Sequence, residues 1–283
     1  MKSVVITGVS TGIGWGTAKV LIQKGFRVFG SVRKREDAER LSKEFGNGFI
    51  PLLFDVRDEP GVQAAALQVQ GELQGETLFG LVNNAGIAVP AALIHQPTDD
   101  FRYQLEVNLV GVLIVTKAFV PLLGSDRSLH GKPGRIINVS SVGGKAGAPF
   151  LGAYAASKHG LEGFSESLRR ELILYGIDVI IIGPGVVATP IWDKAEKVDI
   201  PTSAGADYAE AASRAKEYMI RAGRLGYPPE KVGEVIFGAL TTSRPRIRYA
   251  VVPGSFLRRT IQSLLPRRAL DNLIARNLKF RRK

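Results

Sequence analysis

Tyr154 and Lys158 stand four residues apart in the run Tyr154-Ala155-Ala156-Ser157-Lys158. On a helix this spacing puts both side chains on one face, with the ammonium beside the phenol. An ammonium so placed favours the phenolate, and the weak phenolic acid becomes a usable proton donor and acceptor. The chemistry in view is proton transfer at an oxygen atom.

Spacing alone does not establish it. A second pair at the same separation, Tyr227 and Lys231, has Pro228 and Pro229 between its members. Those prolines exclude an ordinary helix interior, so the two side chains need not share a face. The first pair instead lies in Gly152 to Tyr175, where Leu161, Phe164, Leu168 and Leu172 recur at helical spacing. Only the first pair has the geometry the chemistry needs.

The elements that must position this pair alternate along the first two-thirds of the chain. Val4 to Thr7, Arg27 to Ser31, Phe49 to Phe54, Leu78 to Val82, Arg135 to Val139 and Asp178 to Ile182 read as strands. Between them run periodic segments such as Gly14 to Lys24 and Glu59 to Leu73. Strands that are apolar almost throughout, as in Val179-Ile180-Ile181-Ile182, suit a parallel sheet covered on both faces. The pattern predicts an α/β fold, a single doubly wound Rossmann-type domain with a mostly parallel seven-stranded sheet and helices on both faces.

Composition narrows the classes. The chain has 283 residues, 45% hydrophobic and 23% charged, as a globular domain with one sizeable core would. It contains no cysteine, so disulfides and thiolate metal sites are excluded. A strand reading at Met1 to Thr7 leaves no room for a signal peptide, and no apolar run approaches spanning length. A cytoplasmic location is expected. The net charge is +12, of which Gly254 to Lys283 carries +8, with nine lysines or arginines against the single acid Asp271. The expected division is a catalytic domain over 1–253 and a basic amphipathic tail over 254–283.

Two turns could hold a ligand. Thr7-Gly8-Val9-Ser10-Thr11-Gly12-Ile13-Gly14 follows the first strand and opens the first helix. Glycines there let the backbone turn sharply and approach a pyrophosphate, which the helix N-terminus attracts. The alternative is a turn that serves only tight packing. Leu81-Val82-Asn83-Asn84-Ala85-Gly86 closes the fourth strand at the sheet edge where such folds bind ligands. Its asparagine amides can pin neighbouring strands, or simply make a turn.

Together these residues resemble the short-chain dehydrogenase/reductase family. The resemblance rests on Thr7-Gly8-x3-Gly12-Ile13-Gly14, Asn83-Asn84-Ala85-Gly86, Asn108, Ser141, Tyr154-x3-Lys158 and Pro184-Gly185, in order over residues 1 to about 190. It implies that Tyr154 is the acid/base of a hydride transfer and that Ser141, thirteen positions earlier, holds the reacting oxygen. Lys158 would bind the nicotinamide ribose as well as tune Tyr154, and Asn108 would hold a water in a relay towards Lys158. Lowering a phenol from about 10 by about three units takes roughly 4 kcal/mol. One ammonium about 4 Å away supplies a similar amount at an effective dielectric near 20.

The resemblance also maps the cofactor. Gly8, Ser10, Thr11, Gly12, Ile13 and Gly14 would form the pyrophosphate-binding turn, Asp55 and Val56 would bind the adenine, and Asn84, Ala85 and Gly86 would also contact the cofactor, Ala85 and Gly86 by leaving space for it. Pro184, Gly185 and Val187 would also contact the cofactor, and Thr189 its nicotinamide carboxamide. Members preferring NAD(H) carry an acid after the second strand. Here Ser31 takes that place and Arg33, Lys34 and Arg35 follow, so NADP(H) is expected, with NAD(H) the alternative. His95, His130 and His159 form no ligand spacing, and no metal is expected.

Substrate choice should reside in a lid over 190–227, where Trp192, Tyr208, Tyr218 and Met219 suggest a lipophilic small-molecule substrate. Packing of these aromatics onto the body is the equal alternative. The chain is similar to members acting on steroids, retinoids or other lipophilic alcohols and carbonyls. Alternatives are a 3-oxoacyl thioester reductase and, from another class, a non-catalytic dinucleotide-binding sensor or scaffold. The tail, with Leu257, Ile261, Leu264, Leu270, Leu273, Ile274 and Leu278 at helical spacing, would pack on the protein or lie on an anionic membrane. It lacks nucleic-acid recognition features, so no nucleic-acid partner is expected. A homo-oligomer is expected, paired through the helices of Asn108 and Tyr154, with an apolar face along Leu161 to Leu172.

Overall fold

Short apolar strands require cover on both faces, and the helices between them supply it. The computed structural model describes residues 1–190, 192, 196, 205–252 and 266–280. In chain order these form β1 (Ser3–Ile6), α1 (Gly12–Gln23), β2 (Arg27–Val32), α2 (Arg35–Phe45), β3 (Phe49–Leu53), α3 (Glu59–Leu73) and β4 (Gly80–Asn83). There follow α4 (Thr98–Leu105), a π-helical turn (Glu106–Val110), α5 (Gly111–Phe119), β5 (Arg135–Val139), α6 (Gly152–Glu171) and β6 (Asp178–Pro184). The chain continues with α7 (Ala209–Arg224), α8 (Pro229–Thr241), β7 (Arg248–Val251) and α9 (Arg267–Leu278).

The seven strands lie in the order β3-β2-β1-β4-β5-β6-β7, and every neighbouring pair is parallel. The order reverses between β1 and β4. Their C-terminal ends therefore flank the crevice in which a doubly wound sheet binds ligands. Val4, Ile6, Val28, Ile137 and Ile180 face one layer, with Ala18 and Leu21 of α1 and Val232 and Ile236 of α8. Val5, Phe29, Leu81, Ile136 and Val179 face the other, with Val62 and Val69 of α3 and Val115 and Phe119 of α5. Burying each such aliphatic or aromatic side chain contributes about 1.5–3 kcal/mol.

The strand boundaries differ from the sequence reading mainly at β4. Leu78 and Phe79 donate to the carbonyls of Leu122 and Ser3. The ladder to β5 starts only at Gly80, opposite Arg135. A second difference concerns the expected subunit face. Leu161 and Leu172 are buried, and Leu168 packs on the core beneath the sheet. These leucines pack on the core of their own chain, while Phe164 is half-buried and Ile173 and Leu174 stay exposed.

Helix α9 packs on α7, and Lys279 pairs with Glu210 at 3.1 Å. Leu257, Ile261 and Leu264 lie outside the described residues. Among the described residues no helix is long and apolar enough to cross a membrane.

Candidate active site

The turn after β1 is shaped by glycines that nothing larger could replace. Gly8 has φ +70°, and a Cβ there would come within 2.9 Å of the Ala85 Cα. A Cβ on Gly14 would meet the Gly8 carbonyl and, at 2.5 Å, the Asn84 amide nitrogen. Gly12, at φ +62°, lies beneath the Thr189 methyl. Helix α1 starts here without a side-chain cap and without an acid in its first turn. Its first amides are thus free to bind an anionic group.

Asn84 locks this turn to the end of β4. Its Nδ2 donates to the Thr7 and Gly8 carbonyls at 2.9 and 3.0 Å. The Thr7 hydroxyl in return accepts from the Asn84 and Ala85 amides at 2.9 and 3.0 Å. One strand over, Asn83 Nδ2 donates to Asn138 Oδ1 and Asn138 Nδ2 to the Ser165 hydroxyl, which joins β4, β5 and α6. Such buried amides are costly unless paired, so the network fixes the register of the strand ends around the crevice.

Tyr154 and Lys158 lie on one face of α6, pointing back towards the end of β5. Lys158 Nζ is 5.9 Å from the Tyr154 ring centre and donates to the Val139 carbonyl at 2.9 Å. Ser141 follows β5, and its hydroxyl accepts from the Gly143 amide at 3.0 Å and hydrogen-bonds the Tyr154 phenol. Gly143 sits between them, since a Cβ there would be 3.2 Å from the Tyr154 ring and 3.5 Å from the Ser141 hydroxyl.

Asn108 falls in the π-helical turn between α4 and α5. Its Oδ1 accepts from the Ile87 amide at 2.8 Å, while Nδ2 donates to the Ile87 carbonyl and the Ser157 hydroxyl. Ser157 in turn donates to the Tyr154 carbonyl at 2.7 Å. Gly86 lies over both residues, because a Cβ there would be 3.2 Å from Asn108 Oδ1 and 3.6 Å from Lys158 Nζ. Ser141, Tyr154, Lys158 and Asn108 thus converge beside the glycine turn.

The protonation balance differs from the sequence expectation. Burial pushes the Tyr154 phenol above its ordinary value, and only its hydrogen bond with Ser141 works against this. Burial also lowers Lys158 to about 8. The ammonium serves the Val139 carbonyl and does not pull the phenol down, so desolvation outweighs the expected Coulomb effect.

Comparisons with known proteins decide what this arrangement belongs to. The family model described as short chain dehydrogenase matches residues 2–199. The chain belongs to the short-chain dehydrogenase family. It is 36% identical over 279 residues to an NADPH-dependent 3-dehydrocapnine reductase of Ornithobacterium rhinotracheale, covering 99% of this chain and 98% of that protein. It is 38% identical over 267 residues to human retinol dehydrogenase 5, covering 89% of this chain and 80% of that protein. A solved short-chain dehydrogenase/reductase from Burkholderia phymatum in complex with NAD superposes with TM-score 0.74 at 26% identity, over 87% of this chain and 88% of that one. The chain is therefore a short-chain dehydrogenase/reductase oxidoreductase with the family's Rossmann-like sheet.

In this short-chain dehydrogenase the sequence-nominated residues fall into two groups. Gly8, Ser10, Thr11, Gly12 and Gly14 form the turn against Asn84, Ala85 and Thr189, Gly86 lies by Asn108 and Lys158, Ile13 packs on the core, and Pro184 ends β6 with Gly185 just after it against Val252. Several others are already engaged. The Ser31 hydroxyl is buried and accepts from the Gly8 amide at 3.0 Å. Val56 is buried beneath Gly111, and Val187 is buried with the Tyr227 segment alongside. The Arg57 guanidinium holds the Asp55 carboxyl below the usual range, with a minor contribution from Arg33 at 4.0 Å. Arg33 itself is 64% exposed at the crevice rim.

Some residues escaped sequence reasoning. Arg40 on α2 donates to the Ser10 carbonyl at 2.7 Å and so buttresses the glycine turn. Thirty positions separate the two, and no local pattern signals the contact. Ser157 was visible in the Tyr154 run, yet only the fold brings Asn108 to it. Tyr227 and Lys231 serve other ends: Tyr227 bridges to Val187, and Lys231 pairs with Glu234 at 2.9 Å.

Beside the active-site helix lies an apolar cleft lined by Leu93, Ile94, Phe150, Gly152, Tyr208 and Phe280. Phe150 has φ +65°, a conformation unfavourable for a bulky residue, and lies four positions before Tyr154. Phe280 stacks on Phe150, and Tyr208 meets both rings edge-on. The lid aromatics divide. Tyr208 reaches the cleft, Trp192 packs on Gly223 and donates to the Val187 carbonyl, and Tyr218 is 68% exposed.

Proposed function

We propose that this chain is an NADP(H)-dependent oxidoreductase that interconverts a lipophilic alcohol and its ketone or aldehyde. The observation that carries the reading is the convergence of Ser141, Tyr154 and Lys158 beside the glycine turn, with an apolar, aromatic-walled cleft at the N-terminal end of the same helix. The glycine cradle supports a dinucleotide. A Cβ at Gly8 or Gly14 would fill it, and the amides opening α1 are uncapped.

The bound nicotinamide would supply or accept the hydride. Ser141 would donate its hydroxyl proton as a hydrogen bond to the substrate oxygen and hold it against Tyr154. Tyr154, kept protonated by burial, would give its proton to a carbonyl oxygen during reduction and take one from an alcohol in reverse. Lys158 would hold the ribose while its ammonium stays on the Val139 carbonyl. Asn108 would keep the Gly86–Ile87 backbone in place beside Lys158.

NADP(H) is favoured over NAD(H) because Ser31 leaves no carboxylate at the end of β2 and the exposed Arg33 stands within reach of a 2′-phosphate. The relative named as an NADPH-dependent reductase is consistent with this preference. Leu93, Ile94, Phe150, Tyr208 and Phe280 favour a large apolar substrate, which the retinol dehydrogenase relative also suggests.

The test is a cofactor-oxidation screen with NADPH and NADH over retinals, steroid ketones, 3-oxoacyl thioesters and short ketones. Higher kcat/KM with NADPH and a lipophilic carbonyl is expected. A preference for NADH, or for acyl thioesters over every lipophilic carbonyl, would overturn the corresponding part of the reading.

A further inference from the structure

Tyr154, Lys158 and Glu162 follow one another at intervals of four along α6 and so occupy one face. The first two reach the crevice. The third is a buried carboxylate, 5% exposed, on a helix whose remaining acids face outward. Its partner comes from the far edge of the sheet. Arg248, on β7, places Nε 3.1 and 3.0 Å from the two Glu162 oxygens. Lys145, largely exposed, adds a contact to Glu162 at 3.0 Å.

The guanidinium does not end on Glu162. Arg248 Nη2 donates to the Ser141 carbonyl at 3.3 Å. Room for this comes from Gly183 on β6, where a Cβ would lie 2.9 Å from the guanidinium carbon. The Ser141 carbonyl also accepts from the Gly144 amide, and the Ser141 hydroxyl from the Gly143 amide. The end of β5 is therefore clamped twice from the same helix face. Lys158 holds the Val139 carbonyl directly, and Glu162 holds the Ser141 carbonyl through Arg248.

We propose that Glu162 and Arg248 are positioning residues that set the place of the Ser141 hydroxyl relative to Tyr154. The inference rests on the catalytic reading of Ser141 given above. Because α6 carries both Tyr154 and Glu162, the pair ties donor helix and serine loop into one rigid unit. Displacing a reacting group by about 1 Å can cost on the order of 100-fold in rate. Arginine suits this role because separate nitrogens of its rigid fork reach the two acceptors, Nε the carboxylate and Nη2 the carbonyl, whereas an ammonium would have to reach both from one atom.

Arg248→Lys keeps the charge pair and the fold while removing the donor to Ser141. Glu162→Gln/Arg248→Met removes both charges together and leaves neither buried alone, which such sites tolerate. The experiment is a double-mutant cycle on kcat between Arg248→Lys and Ser141→Ala, using NADPH and the carbonyl compound turned over fastest in the screen. It is accompanied by amide hydrogen exchange at Gly143 and Gly144, which needs no substrate. Arg248→Lys should lower kcat about tenfold in the native background and less than about twofold beside Ser141→Ala. Exchange at the two glycine amides should quicken in both the single and the double charge variant.

Equal losses in the two backgrounds, or unchanged exchange at Gly143 and Gly144, would overturn the positioning role and leave a simple structural tie. If Ser141→Ala itself leaves kcat untouched, the catalytic reading fails, and the proposal fails with it. If Ser141→Ala is damaging and Arg248→Lys is not, the positioning role alone fails.

Discussion

The Lys158 ammonium donates to the Val139 carbonyl oxygen at 2.9 Å, from a side chain that is buried beside the Tyr154 ring. Burial lowers its pKa from 10.5 to about 8. Between those values the unfolded chain holds a proton that the native state lacks, so native stability rises with pH across that window. The full difference corresponds to about 3 kcal/mol that burial of the ammonium costs at neutral pH. Lys158→Met removes that cost together with one hydrogen bond worth about 1 kcal/mol. The variant should melt higher than the native protein at neutral pH, with the advantage shrinking as pH rises from about 8 to 10.5, while turnover collapses. Melting curves across that range check it, and a lower midpoint at neutral pH contradicts the burial cost.

Tyr154 gives the two reaction directions different pH profiles. Its raised pKa keeps the phenol protonated through the neutral range, the form that donates to a carbonyl. Reduction should therefore be nearly flat with pH around neutrality, whereas alcohol oxidation, which needs the phenolate, should climb as pH rises. Tyr154→Phe should lower both by on the order of 100- to 10,000-fold. Steady-state kcat in each direction decides the matter. An oxidation rate indifferent to pH would point to another base.

Much of this site was readable from spacing because its parts are local. The glycine turn, the Asn83-Asn84 pair and the Tyr154–Lys158 helix each sit within one element boundary, and alternation of apolar runs determined which sheet edge they share. The Arg248–Glu162–Ser141 chain could not be read so, since it joins residues 86 and 107 positions apart across β7, α6 and the β5 loop. Nor could the sign of the Tyr154 shift. Coulomb arithmetic on a lysine four positions away gives the attraction, but the desolvation that outweighs it depends on packing contributed by the whole crevice. The same holds for the leucines after Leu161. Their helical spacing marks an apolar face without saying whether the chain's own sheet or another subunit covers it.

Two glycines of similar appearance in the sequence should respond oppositely to alanine. Gly14→Ala places a methyl against the Gly8 carbonyl and the Asn84 amide, where backbone must move to admit it. A loss of about 1–3 kcal/mol of stability is expected, with NADPH binding weakened together with it. Gly71 lies within α3 with nothing inside 4 Å of its would-be Cβ. Gly71→Ala should stabilise by roughly 0.5–1 kcal/mol through helix propensity and leave NADPH binding unchanged. Urea melts and NADPH fluorescence titrations of the two variants test the contrast. Equal behaviour would mean that the turn yields more readily than its contacts imply.

Phe280 tests whether the apolar cleft meets substrate. The ring stacks on Phe150 with centroids 6.2 Å apart and is held there by the αL turn at Lys279 and the Lys279–Glu210 pair. Phe280→Ala removes one wall of the cleft without touching Ser141, Tyr154 or Lys158. The KM for a long apolar carbonyl such as retinal should rise about three- to tenfold, as loss of up to about 1.4 kcal/mol of apolar contact would give. The KM for a short ketone, too small to reach the cleft, should stay unchanged, as should kcat for both. Phe280→Leu, which keeps an apolar side chain there, should recover most of the loss. A uniform rise in both KM values would place the effect on the active-site helix through Phe150, whose strained backbone the ring supports, and would remove the cleft from the substrate path.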